Sequence, residues 1–295
     1  MSHQFLPDRP IDEELSRKHV EAGGLPLRAQ RRLTEERAQG SALFTSTLSP
    51  AETVVAAQAG FEPVSQVMGS SMYHVGFQST FWGYQGGELT ALTQAYEHAR
   101  SRALGRMRAE AQMLGAHVVV DTRFEGRGYD WADDMVEITA IGTAIRIRDQ
   151  PPPREPALTL LKMDELSKLH HAGYAPIAIA MGNCLWFEPH ADCMQEGSFF
   201  SSELPTHTRA SLQARHLAVE RFRQFAKHFN ADGVVGVRVH RKSKERENSG
   251  HISFHMEVML MGTAVVRRGD AAPPPRPRLV VDVADRPRKH GSHTF

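Results

Sequence analysis

The chain has 295 residues, enough for about two domains of ordinary size, with 41% apolar side chains and a formal net charge of +1. That balance gives no electrostatic case for nucleic acid or an anionic membrane surface, and no stretch approaches the roughly 20 apolar residues that span a bilayer. Two cysteines, Cys184 and Cys193, are too few for a disulfide framework, and the polar N-terminus MSHQFLPDRPIDEEL has no apolar signal core, so a cytoplasmic protein is expected.

Residues 1–47 include the charged, helix-compatible stretch LPLRAQRRLTEERAQGS and are expected to form a flexible N-terminal arm. The first folded unit is placed at 48–149. SPAETVVAAQAG (49–60) opens with Ser, Pro and Glu spaced as a capping box, which predicts a short helix. GFEPVSQVMG (60–69) predicts a strand. In ELTALTQAYEHARSRALGRMRAEAQMLG (88–115), Leu89, Leu92, Tyr96, Ala99, Ala103, Met107, Ala111 and Leu114 recur in steps of three and four. They form one apolar stripe of a long helix, and Gly115 is suited to the left-handed residue that ends it. Two strands follow, 114–125 and 135–149, joined by the hairpin turn GRGYDWADD.

A proline-rich linker at 150–158 leads to a second unit at 159–269, and a Pro/Arg-rich tail occupies 270–295. The second unit repeats the first. MDELSKLHHAG (163–173) is its short helix, GYAPIAIAMG (173–182) its first strand and THTRASLQARHLAVERFRQFAKHFN (206–230) its long helix. The expected stripe there is Leu212, Ala214, Ala218, Phe222, Ala226 and Phe229, with Asn230 as the left-handed end. Ala99-Arg100 corresponds to Ala214-Arg215. FNADGVVGVRVH (229–240) and HMEVMLMGTAVVRRG (255–269) complete the unit. In the last strands Glu137/Glu257, Gly142/Gly262, Thr143/Thr263, Ala144/Ala264 and Arg148/Arg268 fall at equal offsets.

The fold class expected is therefore α+β, with two tandem β-α-β-β units, each a small antiparallel sheet carrying one long helix. Gly142-Thr143-Ala144 and Gly262-Thr263-Ala264 are assigned to close packing of strand on helix. Neither face of strand 136–147 is cleanly polar, yet one helix covers only one side of a sheet. The second repeat or another chain must cover the other.

A long helix, then Leu114-Gly115-Ala116 and Val118-Val119, then a strand carrying Gly142-Thr143-Ala144, resembles the YbjQ-like family, often labelled "putative heavy-metal-binding". The second copy shows Ala231-Asp232-Gly233-Val234-Val235-Gly236 and Gly262-Thr263-Ala264. The resemblance covers roughly 49–149 and 159–269. It implies a dodecin-like unit and a homo-oligomeric ring, typically a pentamer whose sheets join into a barrel. This chain departs from the pattern in being a fused tandem with long tails; a ring of five chains is expected.

No nucleophile elbow, Walker loop, zincin or Rossmann motif occurs, and a non-enzymatic assembly or binding protein is expected. The alternative is a metal- or small-ligand-binding module that uses the ring lumen or an interdomain cleft. Cys184, His190 and Cys193 are the residue types that hold a divalent or soft metal ion, although their spacing is not that of a zinc knuckle. The repeat gives them no counterpart. His251, Ser253, His255 and Glu257 share a strand face. Glu137 and Glu257, the repeated carboxylates, are assigned to an oligomer or lumen face, as an inter-subunit salt bridge or a ring of charge. Gly86-Gly87 precedes a helix as in anion sites. Phe81, Trp82, Tyr84, Phe199 and Phe200 can stack a flat ligand or pack into a neighbouring subunit. The partners expected are copies of the chain itself, with neither nucleic acid nor membrane.

Overall fold

The structure, a computed structural model, describes residues 13–39, 45–74, 86–125, 135–189, 205–248 and 251–269. Each unit is built to one plan. In the first, α3 (Pro50–Gln58) leads into β1 (Phe61–His74), followed by the short β2 (Gly87–Glu88), α4 (Thr90–Met113), β3 (Val118–Glu125) and β4 (Met135–Ile147). In the second, β5 (Ala157–Leu158) and α5 (Met163–His171) precede β6 (Tyr174–Pro189), α6 (Pro205–His228), β7 (Gly233–Asn248) and β8 (His251–Arg267). The capping box at α3 is formed: Ser49 Oγ accepts from Glu52 N–H at 3.3 Å, and Glu52 accepts from Ser49 N–H at 2.9 Å.

The strand orders are β1-β4-β3-β5 and β2-β6-β8-β7. Three strands of each sheet are antiparallel and belong to one unit. The fourth is short. β5 comes from the linker and pairs parallel to β3, and β2 comes from the first unit and pairs with β6 of the second. The units therefore exchange backbone hydrogen bonds at both sheet edges. Bulges recur at matched places, Pro63/Ser65 with Pro176/Ala178 and Val120/Arg123 with Val235/Arg238. The left-handed residue in the second bulge is Asp121 (φ 51°) in one unit and Gly236 (φ 62°) in the other, which accounts for an aspartate with no counterpart.

The α4 stripe is buried at all eight expected positions. Its strand partner is Gly69, where an added Cβ would strike the Ala103 carbonyl and the Met107 amide; Gly182 holds the same position against Ala218 and Phe222. On α6 the buried line is Ala210, Ala214, Ala218 and Phe222, while Leu212 is 58% and Phe229 39% exposed. Leu212 and Phe229 are corrections to the expected stripe: Leu212, two residues before Ala214, stands about 200° around the helix from it, and Phe229 lies beyond the last residue of α6.

Residues expected to form a flexible arm include α1 (Glu13–Glu21) and α2 (Leu27–Gln39); α2 packs on α4 and α1 on α2. Leu25 and Leu33 are buried in its core cluster. Arg32 donates to Glu110 at 3.2 Å, and Arg106 donates to Val20 O at 2.9 Å. The two leucines supply the apolar anchor within an otherwise charged stretch. The short helices α3 and α5 pack beside each other over Val118, Val120 and Ile145, covering one end of the first sheet's back face.

Candidate functional site

The principal chemistry of the described residues lies at the seam between units. α4 packs its own sheet on one side and the back of the second sheet on the other. One core cluster joins Ala99, Ala103 and Met107 of α4 to Ile179, Leu185 and Met261 of the second sheet. Arg100 lies within this seam, its side chain 6% exposed, and donates to Glu257 at 3.0 Å. Its guanidinium also sits 5.0 Å from the Tyr96 ring centroid. Burial draws the Arg100 pKa below its ordinary value, and the Glu257 carboxylate opposes that shift.

Directional bonds fix the register of the seam. Leu185 N–H donates to Thr93 Oγ1 at 3.1 Å, Leu89 N–H donates to Leu185 O at 2.7 Å, and Asn183 Nδ2 donates to Thr93 O at 3.2 Å. Glu88 on β2 accepts both guanidinium nitrogens of Arg221 on α6, at 2.6 and 2.9 Å. Arg221 also donates to Asn183 O at 2.9 Å. Leu160 N–H, on the linker side, donates to Thr263 Oγ1 at 3.0 Å. These ionisable groups are paired, and each pair serves as a clamp.

The repeat exposes an asymmetry. Along β6 the back face is Ile179, Met181, Asn183 and Leu185. All four are buried or half-buried, with Leu185 1% exposed. The same register positions of β1 are Gln66, Met68, Ser70 and Met72. Met68 is 51% and Met72 70% exposed. Glu137 pairs across the ladder with Met72 and stands on the same open face, half-buried. Thr143 receives the same treatment as Thr263: Thr47 N–H donates to its Oγ1 at 2.9 Å, and the residue is fully buried.

The glycines of the repeated Gly-Thr-Ala do not meet the helix. A Cβ on Gly142 would lie 2.6 Å from Val119 Cγ1, and one on Gly262 2.6 Å from Val234 Cγ1, so their crowding comes from the bulged neighbouring strand. Ala144 and Ala264 do belong to the helix-facing core clusters and are fully buried. Cys184 is fully buried in the core beneath α6. Burial, with the Glu88 carboxylate, pushes its thiol up to about 12, against the opposing charge of Arg221. His190 and Cys193 lie outside the described residues. Among the described residues no three of His, Cys, Asp and Glu converge as a metal would require.

His255 is buried with its ring 5.2 Å from that of Phe187, and His216 lies 3.6 Å from Glu220 one helical turn away. Gly87 is used in β2, not in an anion loop, and Gly86 abuts the Glu188 carboxylate. The aromatic residues at 81–84 and 199–200 lie outside the described residues. An interdomain cleft of about 610 Å³ does exist, lined by Phe61, Arg108, His170 and Tyr174. His117 at its edge is occupied, accepting from Ile147 N–H at 3.1 Å and lying 3.0 Å from Pro151 O. Arg221, Glu88 and Thr93 were missed by motif reasoning; the seam they form becomes visible only when the two repeats are compared position by position.

No helix among the described residues is long and apolar enough to cross a membrane. No solved structure matches the chain. It is 37% identical over 233 residues to a Mycobacterium tuberculosis protein named as an encapsulin nanocompartment protein, across 77% of this chain and 87% of that one. A protein of Mycobacteroides abscessus, named only as a UPF0145 protein, is 42% identical over 77 residues, 25% of this chain and 70% of its own length. Another from Natronomonas pharaonis is 43% identical over 63 residues, 21% of this chain and 59% of its own. Residues 50–148 and 194–268 each match the family described as "putative heavy-metal-binding", and with more than half of its length so matched, the chain belongs to that YbjQ-like family, as a tandem of two units.

Proposed function

We propose that this is a non-enzymatic assembly protein that associates with further copies of itself. The observation that carries the proposal is the unequal treatment of one surface within one chain. The back of the second sheet is sealed by a helix, whereas the same surface of the first sheet presents Met68 and Met72 to solvent. Withdrawing the remaining exposed surface of these two side chains from water is worth roughly 1–2 kcal/mol each. That the counterparts of these two residues are buried in the same chain supports reading this face as an interaction site.

The non-enzymatic reading is supported by how the charged groups are used. Glu257, Glu88 and Glu110 are each engaged by arginine or backbone donors that hold packed elements together. This reading invokes no metal ion: among the described residues no three of His, Cys, Asp and Glu come together. The name of the Mycobacterium tuberculosis relative associates that protein with a large assembly, in keeping with self-association here. A ring of chains in the cytoplasm is the form proposed. Light scattering of the full chain at micromolar concentration tests it. A mass of several times 32.9 kDa is expected, and a strict monomer defeats the proposal.

A further inference from the structure

The next copy's identity and orientation follow from the seam already inside the chain. We propose that α6 of one chain covers the open back face of the first sheet of the next, so that the α4–second sheet seam is repeated between chains, with Arg215 pairing to Glu137. This rests on the self-association proposed above and names the surfaces that carry it.

Position-by-position equivalence supplies the first argument. The internal seam uses Arg100 of α4 and Glu257 of β8. Their repeat counterparts are Arg215 and Glu137. Arg215 is exposed, Glu137 is half-buried on the open face, and the two stand on opposite outward surfaces of the chain; neither has an ion-pair partner among the described residues. The internal seam buries Leu185 and half-buries Met181. Their counterparts, Met72 and Met68, are the large apolar side chains left exposed on the first sheet.

The second argument is the receiving surface. α6 and the adjoining strands β7 and β8 enclose an open groove of about 640 Å³, lined by Leu212, Arg215, Val239, Met256 and Val258 among others. Leu212 is 58% and Val239 62% exposed. In the first unit the matching surface, bounded by α4 and by Val136 and Ile138 of β4, is largely buried: Leu92, Tyr96, Val136 and Ile138 belong to the core cluster shared with the second sheet, while Glu97, the counterpart of Leu212, stays exposed. The groove and the methionines are therefore two halves of one interface. The arginine is already in the groove and the glutamate is already beside the methionines.

The geometry of assembly follows. A contact between two different surfaces is head-to-tail, and such contacts close into a ring or run on as a filament. Each chain contributes two units, so a closed ring holds an even number of them. The five-unit ring implied for single-unit members is not available to this chain with every unit engaged.

The test is a charge swap in the full-length protein, read by sedimentation velocity with circular dichroism to verify folding. Glu137→Arg and Arg215→Glu are each expected to weaken assembly by about 100-fold or more in apparent dissociation constant, and the double variant to recover it. Met72→Lys, at a position 70% exposed in the single chain, is expected to dissociate the assembly while leaving the fold intact. If the wild-type protein is a monomer, self-association itself fails. If it assembles and neither Glu137→Arg nor Met72→Lys changes the assembly, or the double charge swap gives no recovery, self-association stands and this seam is overturned.

Discussion

Arg100 and Glu257 show at single-residue scale how the two units are locked. The guanidinium is almost wholly withdrawn from water and depends on one carboxylate, itself 21% exposed. Removing one partner of a buried pair costs more than removing both, because the survivor is stranded. Glu257→Gln is expected to lower stability by about 2–3 kcal/mol in urea denaturation, and Arg100→Met combined with Glu257→Leu to lie much closer to wild type. Equal losses in the two variants would show that the pair contributes no more than packing. Cys184 gives a second residue-scale expectation. With its thiol pushed up to about 12 and its side chain fully buried, it should resist a thiol reagent at pH 8 in the folded Cys193→Ser variant and react only on unfolding. Prompt labelling of the native protein would contradict its place beneath α6.

The long helices were legible at the scale of elements because their burial demands period. Every stripe residue named on α4 is buried, and the helix ends at Gly115 (φ 71°) and Asn230 (φ 50°) were marked by residue type. The exposed Leu212 shows the limit: apolar character alone does not reveal which of two helix faces meets a sheet and which awaits a partner. The docking of α2 was also invisible, since the buried Leu25 and Leu33 stand eight residues apart in a mostly charged or polar stretch and give little periodic signal. Glu110, which α2 touches through Arg32, makes the stability of the fold pH-dependent. Burial raises its carboxyl above the ordinary 4.5, against the Met68 N–H and the Arg32 charge, so the folded state holds the proton more tightly than the unfolded chain. Its contribution to stability is therefore full below pH 4.5 and is lost as pH rises through the raised value. Glu110→Gln keeps a group that can accept from Met68 N–H and removes the titration. Its stability relative to wild type should rise between pH 4 and pH 7 in parallel urea titrations; a difference that stays flat with pH would contradict a raised carboxyl.

The duplication was plain at the scale of the whole molecule from Glu, Gly-Thr-Ala and Arg at equal offsets, and so was the need for something to cover each sheet's second face. What the sequence did not reveal was the order of coverage, because helix and sheet surfaces from different units meet through residues far apart in the chain, such as Thr93 with Leu185 and Arg100 with Glu257. The fold settles one such contact internally and leaves its two complementary halves open at opposite ends. The count of chains in the intact particle, by native mass spectrometry of the full-length protein, tests this most directly. The account predicts a discrete whole-number multiple of 32.9 kDa, greater than one, that collapses toward 32.9 kDa in Glu137→Arg. A wild-type protein found only at 32.9 kDa, under conditions that preserve known assemblies, would contradict it.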